Sequence, residues 1–138
     1  MPPSRPRIHH VLIASPPGSE EAARRFFGEL LGLREIPKPA NLASRGGVWF
    51  ELEGTQLHVG IEKEFRPAEK AHPAFEVADV GELRTRFDAA GIETWEDEPY
   101  PGRERFYARD PFGNRLEFLG PERRGSVGGS SRTRAPRP

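Results

Sequence analysis

The stretch that decides the fold is Asp110-Pro111-Phe112-Gly113-Asn114-Arg115-Leu116-Glu117, near the end of the chain. Its turn residues, at 110–114, predict a tight connection between two strands, over 106–109 and 115–119. The end of this stretch, Gly-x-x-Leu followed by Glu, has a counterpart in Gly54-Thr55-Gln56-Leu57-His58, which lies 59 positions earlier. The chain therefore contains two related halves.

The first half begins with an apolar run, residues 8–14, that predicts a buried strand. Pro16-Pro17-Gly18 ends this strand. A helix with one apolar face follows from Ser19, a good N-cap, to Gly32, a natural C-terminal stop. Further strands are predicted over 33–36, 47–52 and 56–61.

The second half repeats the same order of elements. A strand is predicted over 72–77, and a helix from Asp79 to Gly91, with Glu82 as the capping-box partner of Asp79. Strands over 92–95, 106–109 and 115–119 complete it. The sequence therefore predicts one α+β domain over residues 7–120, with half-modules at about 7–64 and 70–120.

The register of the two halves aligns residues that can bind metals. Aligning the ends of the helices matches His58 with Glu117, and aligning the first strands matches His10 with His72. If the four side chains face one concave surface, they form a site of three histidines and one carboxylate. Such donors suit zinc, nickel, cobalt, iron(II) or manganese. His9 alternates with His10 along its strand and is expected to face the opposite way.

This ligand set indicates a chemistry. An octahedral ion with four protein ligands keeps two positions for water or for two adjacent substrate oxygens, and it stabilises an enolate as a Lewis acid. Glu117, beside the ion, can take and return a proton. Arginines near the predicted turn can bind an anionic substrate group, although an exposed basic hairpin fits them equally well. The candidate substrate contacts are Trp49, Arg103, Arg105, Tyr107 and Phe112.

The composition excludes several classes of function. The chain has no cysteine, which excludes disulfides, thiolate metal sites and cysteine nucleophiles. It has no apolar run long enough for a membrane span. Residues 121–138 carry a net charge of +4 and the rest of the chain −4. Residues 1–6 and the tail, rich in Arg, Gly, Ser and Pro, are expected to be disordered, and no basic patch with interleaved aromatics favours nucleic-acid binding. A cytoplasmic protein is the expectation.

Four stretches together resemble the vicinal-oxygen-chelate superfamily, which includes glyoxalases, bleomycin-resistance proteins and dioxygenases. They are Ile8-His9-His10-Val11, residues 26–33, His72-Pro73-Ala74-Phe75-Glu76-Val77 and the turn-and-strand motif of residues 110–117. The resemblance implies paired βαβββ modules that form a half-barrel around a metal ion. It also implies a homodimer, and ligands from the first and last strand of each module, which here are His10, His58, His72 and Glu117.

The resemblance leaves three functions open. The first is a metal-dependent lyase or isomerase that acts on a small oxygenated substrate. The second is a non-catalytic protein that binds an antibiotic or a metabolite. The third is a dioxygenase, which requires iron(II) or manganese and consumes oxygen. Retention of a full ligand set favours the first over simple sequestration.

Overall fold

The computed structural model describes residues 5–123, and the chain divides into two compact units, Met1–Pro67 and Ala68–Pro138. Each unit contains one strand, a helix and three further strands, so the predicted α+β fold of paired βαβββ modules is confirmed. The predicted disordered ends lie largely outside the described residues. None of the helices within residues 5–123 is long and apolar enough to cross a membrane.

Unit 1 is a four-stranded open sheet in the order β1-β4-β3-β2. Strands β1 and β4 are parallel, and the other neighbours are antiparallel. The elements are β1 (His10–Ser15), α1 (Glu20–Ala23), a π-helical segment (Arg24–Leu30), β2 (Arg34–Ile36), a 3-10 helix (Ala40–Arg45), β3 (Val48–Leu52) and β4 (Thr55–Ile61).

The two faces of this sheet differ because side chains alternate along each strand. One face is apolar: Phe50 and Leu57 are Cα partners, both are fully buried, and the ring of Phe27 lies 5.9 Å from that of Phe50. The opposite face presents Trp49 and His58, which are also Cα partners. The hydrophobic core therefore fixes which face of the sheet carries the histidines.

Two details of unit 1 differ from the expectations. The first strand was predicted to be buried, but β1 lies at the edge of its sheet, and Leu12 is 59% exposed. An apolar run does not reveal how many neighbours a strand has. Ser19 stands at the N-cap of α1 without a capping bond, and its hydroxyl donates instead to Oγ of Ser15 at 2.8 Å.

Unit 2 repeats the arrangement, with sheet order β5-β8-β7-β6 and parallel pairing of β5 with β8. The backbone N–H of Glu82 donates to Oδ1 of Asp79, which confirms the cap of α2, whereas the side chain of Glu82 pairs with Arg86. The elements are β5 (Ala74–Glu76), α2 (Val80–Ala89), β6 (Thr94–Trp95), β7 (Arg105–Arg109) and β8 (Arg115–Leu119).

The core of unit 2 consists of phenylalanines between α2 and the sheet. Phe87, Phe106 and Phe118 are fully buried, and their ring centroids lie 5.2 to 5.9 Å apart. Phe106 and Phe118 are Cα partners, so the next register pair, Tyr107 and Glu117, faces away from this core. The face opposite the helix therefore carries the polar side chains.

The predicted turn between β7 and β8 is held by a buried polar network. Oδ1 of Asp110 accepts from the backbone N–H groups of Phe112 and Asn114, both at 2.9 Å. Oδ2 accepts from the amide of Asn114, whose own Oδ1 accepts from the N–H of Ala68. Burial raises the pKa of Asp110, and these hydrogen bonds oppose that shift.

Candidate metal centre

Unit 1 brings together its two predicted ligands. Parallel pairing aligns Leu12 with His58 and His10 with Gln56, so the first strand runs directly beside the last. The imidazole of His10 stacks on that of His58, with ring centroids 4.1 Å apart and planes inclined by 14°. The indole of Trp49 covers the other face of His58 at 3.7 Å and 3°. The predicted substrate contact Trp49 therefore touches a predicted ligand.

His58 is held in its neutral form. Its side chain is buried, with 4% exposure. Desolvation lowers the pKa of His58 to about 4, and the charges of His10 and His9 act in the same direction. Nε2 of His58 lies 2.9 Å from Oε1 of Gln56. Near neutral pH the ring therefore keeps one nitrogen with a free electron pair, which is the form that a metal ion requires.

His9 does not face away from His10. It lies just before β1 begins, so strand alternation does not control its direction. Nδ1 of His9 lies 3.1 Å from Nδ1 of His10, and the two rings meet edge to face. The expectation of an opposite face is therefore wrong, although His9 is exposed as expected of a surface residue.

Unit 2 brings together the other two predicted ligands. Nε2 of His72 lies 2.8 Å from Oε1 of Glu117, which is 6% exposed. His72 was placed in a strand, but it lies two residues before β5. Pro73, which follows it, has no N–H to donate to a sheet, and its carbonyl accepts from the N–H of Glu117. This bond brings the segment before β5 beside the middle of β8.

A backbone carbonyl determines which nitrogen of His72 carries the proton. The other nitrogen, which faces Glu117, therefore has the free electron pair. Nδ1 of His72 lies 2.8 Å from the carbonyl oxygen of Lys70, and a carbonyl can only accept, so Nδ1 carries the proton. In the neutral imidazole, Nε2 then holds a free electron pair and points at a carboxylate oxygen. The pair is favourable when a proton lies between the two atoms, or when a cation lies beside both.

Arg105 and Tyr107 lie beside this pair. Nη1 of Arg105 is 3.3 Å from Oε2 of Glu117, and both side chains are mostly buried. The guanidinium of Arg105 also donates to the backbone carbonyl of Glu98. The ring of Tyr107 meets that of His72 edge to face, with centroids 5.7 Å apart. Two of the predicted substrate contacts therefore neighbour the predicted ligands of unit 2.

The remaining predicted contacts lie elsewhere in unit 2. Arg103 pairs with Glu76 at 3.4 Å and donates to the carbonyl of Gly120. Phe112 belongs to the turn after β7, and its recorded bond is a backbone bond to Asp110. A cleft of about 340 Å³ is lined by Arg103 and Arg105, among other residues, but by none of the four predicted ligands.

Sequence reasoning missed three groups of the site. Gln56 contacts His58, Lys70 orients His72 through its carbonyl, and Arg115 lies against Tyr107, with Cζ 4.3 Å from the ring centroid. Gln56 and Arg115 each lie two residues before a predicted ligand. The period of two along a strand puts such residues on the same face, so this signal was present in the sequence.

The donor atoms fit a divalent ion differently in the two units. With bonds of about 2.1 Å, neighbouring ligand atoms of an octahedral ion lie about 3 Å apart, and Nε2 of His72 and Oε1 of Glu117 meet that spacing. The electron pairs of His10 and His58 lie in separate, nearly parallel ring planes, so one of these rings must turn before both can bind one ion. Within residues 5–123, no group of three or more His, Asp or Glu side chains is placed to hold a metal ion.

Fold and site together define a class of α+β protein with two βαβββ modules, each bearing a pair of potential metal ligands on its sheet. The chain belongs to the Glyoxalase/Bleomycin resistance protein/Dioxygenase superfamily, whose family model matches residues 7–118. No curated protein sequence matches the chain.

Solved structures agree with this membership. A glyoxalase family protein from Bacillus anthracis is 46% identical over 87% of this chain and 98% of its own, with a TM-score of 0.81. A glyoxalase/dioxygenase from Nostoc punctiforme is 25% identical over 84% and 92%, with a TM-score of 0.70. A lactoylglutathione lyase from Agrobacterium tumefaciens shares the fold, at 23% identity over 87% and 96%, with a TM-score of 0.66.

Proposed function

We propose that the chain is a metal-dependent enzyme, a lyase or isomerase for a small oxygenated substrate, with one divalent ion held by His10, His58, His72 and Glu117. The observation that carries the proposal is the contact in unit 2 between Nε2 of His72 and Oε1 of Glu117. The carbonyl of Lys70 holds the proton on the other nitrogen. Orientation of a ligand histidine by a backbone acceptor is typical of metal sites.

Three imidazoles and a carboxylate suit zinc, nickel, cobalt, iron(II) or manganese. When bound, such an ion polarises substrate oxygens as a Lewis acid and stabilises an enolate. The protein supplies the rest of the chemistry. Trp49, flat against His58, offers an apolar wall that excludes water from the reacting atoms.

Glu117 has two roles in this proposal, one for each oxygen. Oε1, next to His72, is the ligand atom, and Oε2 takes a proton from the substrate and returns it. Arg105 donates to Oε2 at 3.3 Å.

In unit 1, His10 is the ring that must turn. His58 is enclosed between His10 and Trp49 and hydrogen-bonded to Gln56, whereas His10 is exposed on an edge strand. Rotation about the side-chain bonds of an exposed residue is fast and meets little steric resistance. Metal uptake therefore opens the stack by moving His10 and leaves His58 in place.

Metal content tests the proposal directly. Protein purified without added metal is analysed for its elements and then titrated with zinc, cobalt and nickel, alongside the His58→Ala, His72→Ala and Glu117→Ala variants. Glu53→Gln is the control, because it removes an exposed carboxylate at the turn between β3 and β4, outside the set. One ion per chain, lost in the three variants and kept in the control, is the expected result. Substoichiometric metal that the variants leave unchanged contradicts it.

A dioxygenase is the second candidate, favoured by the 25% identity to the glyoxalase/dioxygenase from Nostoc punctiforme. It predicts oxygen uptake by iron(II)-loaded protein with a catechol-type substrate. A lyase or isomerase consumes no oxygen.

If the chain is instead a non-catalytic binding protein, we expect ligand-induced thermal stabilisation that persists in the presence of a chelator. An oxygen electrode and a thermal-shift assay with and without chelator separate the three.

A further inference from the structure

We propose that Arg115, which lies against Tyr107, anchors a subsite for an oxyanion group of the substrate, a carboxylate or a phosphoryl group, and that Arg105 adds positive charge to it. As a description of the substrate, this inference rests on the proposed function. The subsite lies wholly within unit 2 and on the sheet face of Glu117. Its anion-binding capacity can therefore be measured without any metal.

The first observation is a like-charged pair in the sheet. Arg109 and Arg115 are direct Cα partners in the antiparallel β7–β8 pair, so their side chains leave the same face. Like charges directly opposite each other destabilise a sheet. Arg109 is compensated by Glu93 at 3.6 Å and by the ring of Trp95. Arg115 has a more distant carboxylate, Oδ2 of Asp97 at 3.9 Å, and lies against the ring of Tyr107.

The second observation is that Arg115 lacks acceptors. Its closest recorded carboxylate, Oδ2 of Asp97, lies 3.9 Å from Nη2, beyond hydrogen-bonding distance. Its Nε is buried without a hydrogen-bond partner, the one such side-chain atom found within residues 5–123. The side chain is 21% exposed. Because an unsatisfied buried donor destabilises a fold, a functional reason for keeping arginine at this position is needed.

The third observation is the arrangement around Tyr107. The guanidinium carbons of Arg115 and Arg105 lie 4.3 and 5.2 Å from the centroid of its ring. Tyr107 is the Cα partner of Glu117 and touches His72. An anion held by these arginines would therefore sit beside the proposed ligands of unit 2.

The ligand class follows from the donors. A guanidinium presents parallel N–H groups that match the two oxygens of a carboxylate or of a phosphoryl group. Arg105 already donates to Glu117 and to the carbonyl of Glu98. Arg115 is therefore the principal anchor, and Arg105 adds positive charge. A neutral substrate would leave Arg115 as short of acceptors as it is in the free chain.

Calorimetry on chelator-treated protein tests the subsite, with inorganic phosphate and succinate as probes. Wild-type protein is expected to bind one anion per chain, and the stronger probe indicates which oxyanion is preferred. Arg115→Gln is expected to weaken binding at least about tenfold, as the loss of charged hydrogen bonds does. Arg115→Lys keeps the charge but lacks the parallel N–H groups of the guanidinium, so it should recover only part of the affinity. Arg86→Gln, on the exposed surface of α2, removes the same charge and should bind as wild type.

Metal content of the same preparations, measured before the chelator is added, separates the two proposals. Anion binding that depends on Arg115 in a protein without stoichiometric metal supports the subsite and contradicts the metal centre. Stoichiometric metal with no binding of either anion, or with equal binding by wild type and Arg115→Gln, overturns the subsite alone. If Arg115→Gln does not fold, as judged by circular dichroism, Arg115→Lys decides: an affinity equal to wild type contradicts recognition by the guanidinium fork.

Discussion

Nε2 of His72 lies 2.8 Å from Oε1 of Glu117, and two electron-pair donors share this contact whenever the imidazole is neutral. The contact is favourable as an ion pair when the imidazole is protonated, or when a cation lies beside both atoms, whereas an amide in place of the carboxylate would satisfy both neighbours without either. An N–H of that amide could donate to His72 while its oxygen accepts from Arg105.

Glu117→Gln is therefore expected to keep the fold and lose the metal. In the presence of chelator its melting temperature should lie within about 5 °C of wild type. Metal at 100 times its dissociation constant should stabilise wild type by about 2.7 kcal/mol and the variant not at all. Differential scanning calorimetry measures both. Glu76→Gln, on exposed β5, is the control that should respond like wild type, and an equal metal response in Glu117→Gln would contradict the assignment.

The fluorescence of Trp49 should report metal uptake, because its indole lies flat on His58. The chain has two tryptophans, so Trp95→Phe leaves Trp49 as the sole emitter. Cobalt(II) added to this variant should quench the emission, with saturation at one ion per chain. The double variant Trp95→Phe/His58→Ala should show no saturable quenching. Emission in Trp95→Phe that is indifferent to cobalt would exclude His58 as a ligand.

Stability should fall in acid through His58. Its pKa is about 4 in the folded chain against 6.5 for an unperturbed histidine, so between these pH values His58 is protonated in the unfolded chain and neutral in the folded chain. The stabilisation is complete above pH 6.5 and is lost as pH falls to 4, by at most about 3 kcal/mol. Urea unfolding with chelator from pH 7.5 to 4 measures it. His58→Gln should lack this component, and parallel curves for the two proteins would refute it.

Gly47 should tolerate no side chain. It has φ +87°, and a Cβ there would lie 2.3 Å from the carbonyl oxygen of Val59. Gly54 has a similar φ, +76°, with no atom within 4 Å of an added Cβ. Gly54→Ala should therefore lose only about 1 to 2 kcal/mol of unfolding free energy. Gly47→Ala should lose more than Gly54→Ala, since it also displaces the backbone of β4. Equal losses in chemical denaturation would show that the contact with Val59 relaxes freely.

The duplicated order of elements was predictable because each half carries its own turn signals and its own helix stop. Gly32 and Gly91 both adopt positive φ at the ends of their helices, as expected of C-terminal stops. The edge position of β1 was not predictable, since the hydrophobic pattern of an apolar strand is the same whether it pairs with one strand or with two. The hydrophobic pattern also does not distinguish a π-helical turn from an α-helical one. In this π-helical turn the N–H of Leu31 donates to the carbonyl of Phe26.

The contact within each unit was predictable by residue type and register, whereas the grouping of all four residues around one ion stays a prediction. His10 contacts His58 in unit 1, and His72 contacts Glu117 in unit 2. Each pair comes from the first and the last strand region of one module, as the register predicts. The carbonyl of Lys70 could not be foreseen, because every residue has one. The period of two along β8 places Arg115 on the face of Glu117, but its missing acceptors depend on where Asp97 lies and could not be foreseen.

Parallel pairing of the first and last strand has a consequence for the order of folding. His72 and Glu117 are 45 positions apart, and their contact closes only after the intervening helix and strands have formed the crossover that a parallel pair requires. Contacts of such long range form late, because the chain must first lose the entropy of closing the loop. No short segment of the nascent chain can therefore assemble the ligand pair. An ion would be captured by a polypeptide that has already folded, and it would have no part in nucleating the fold.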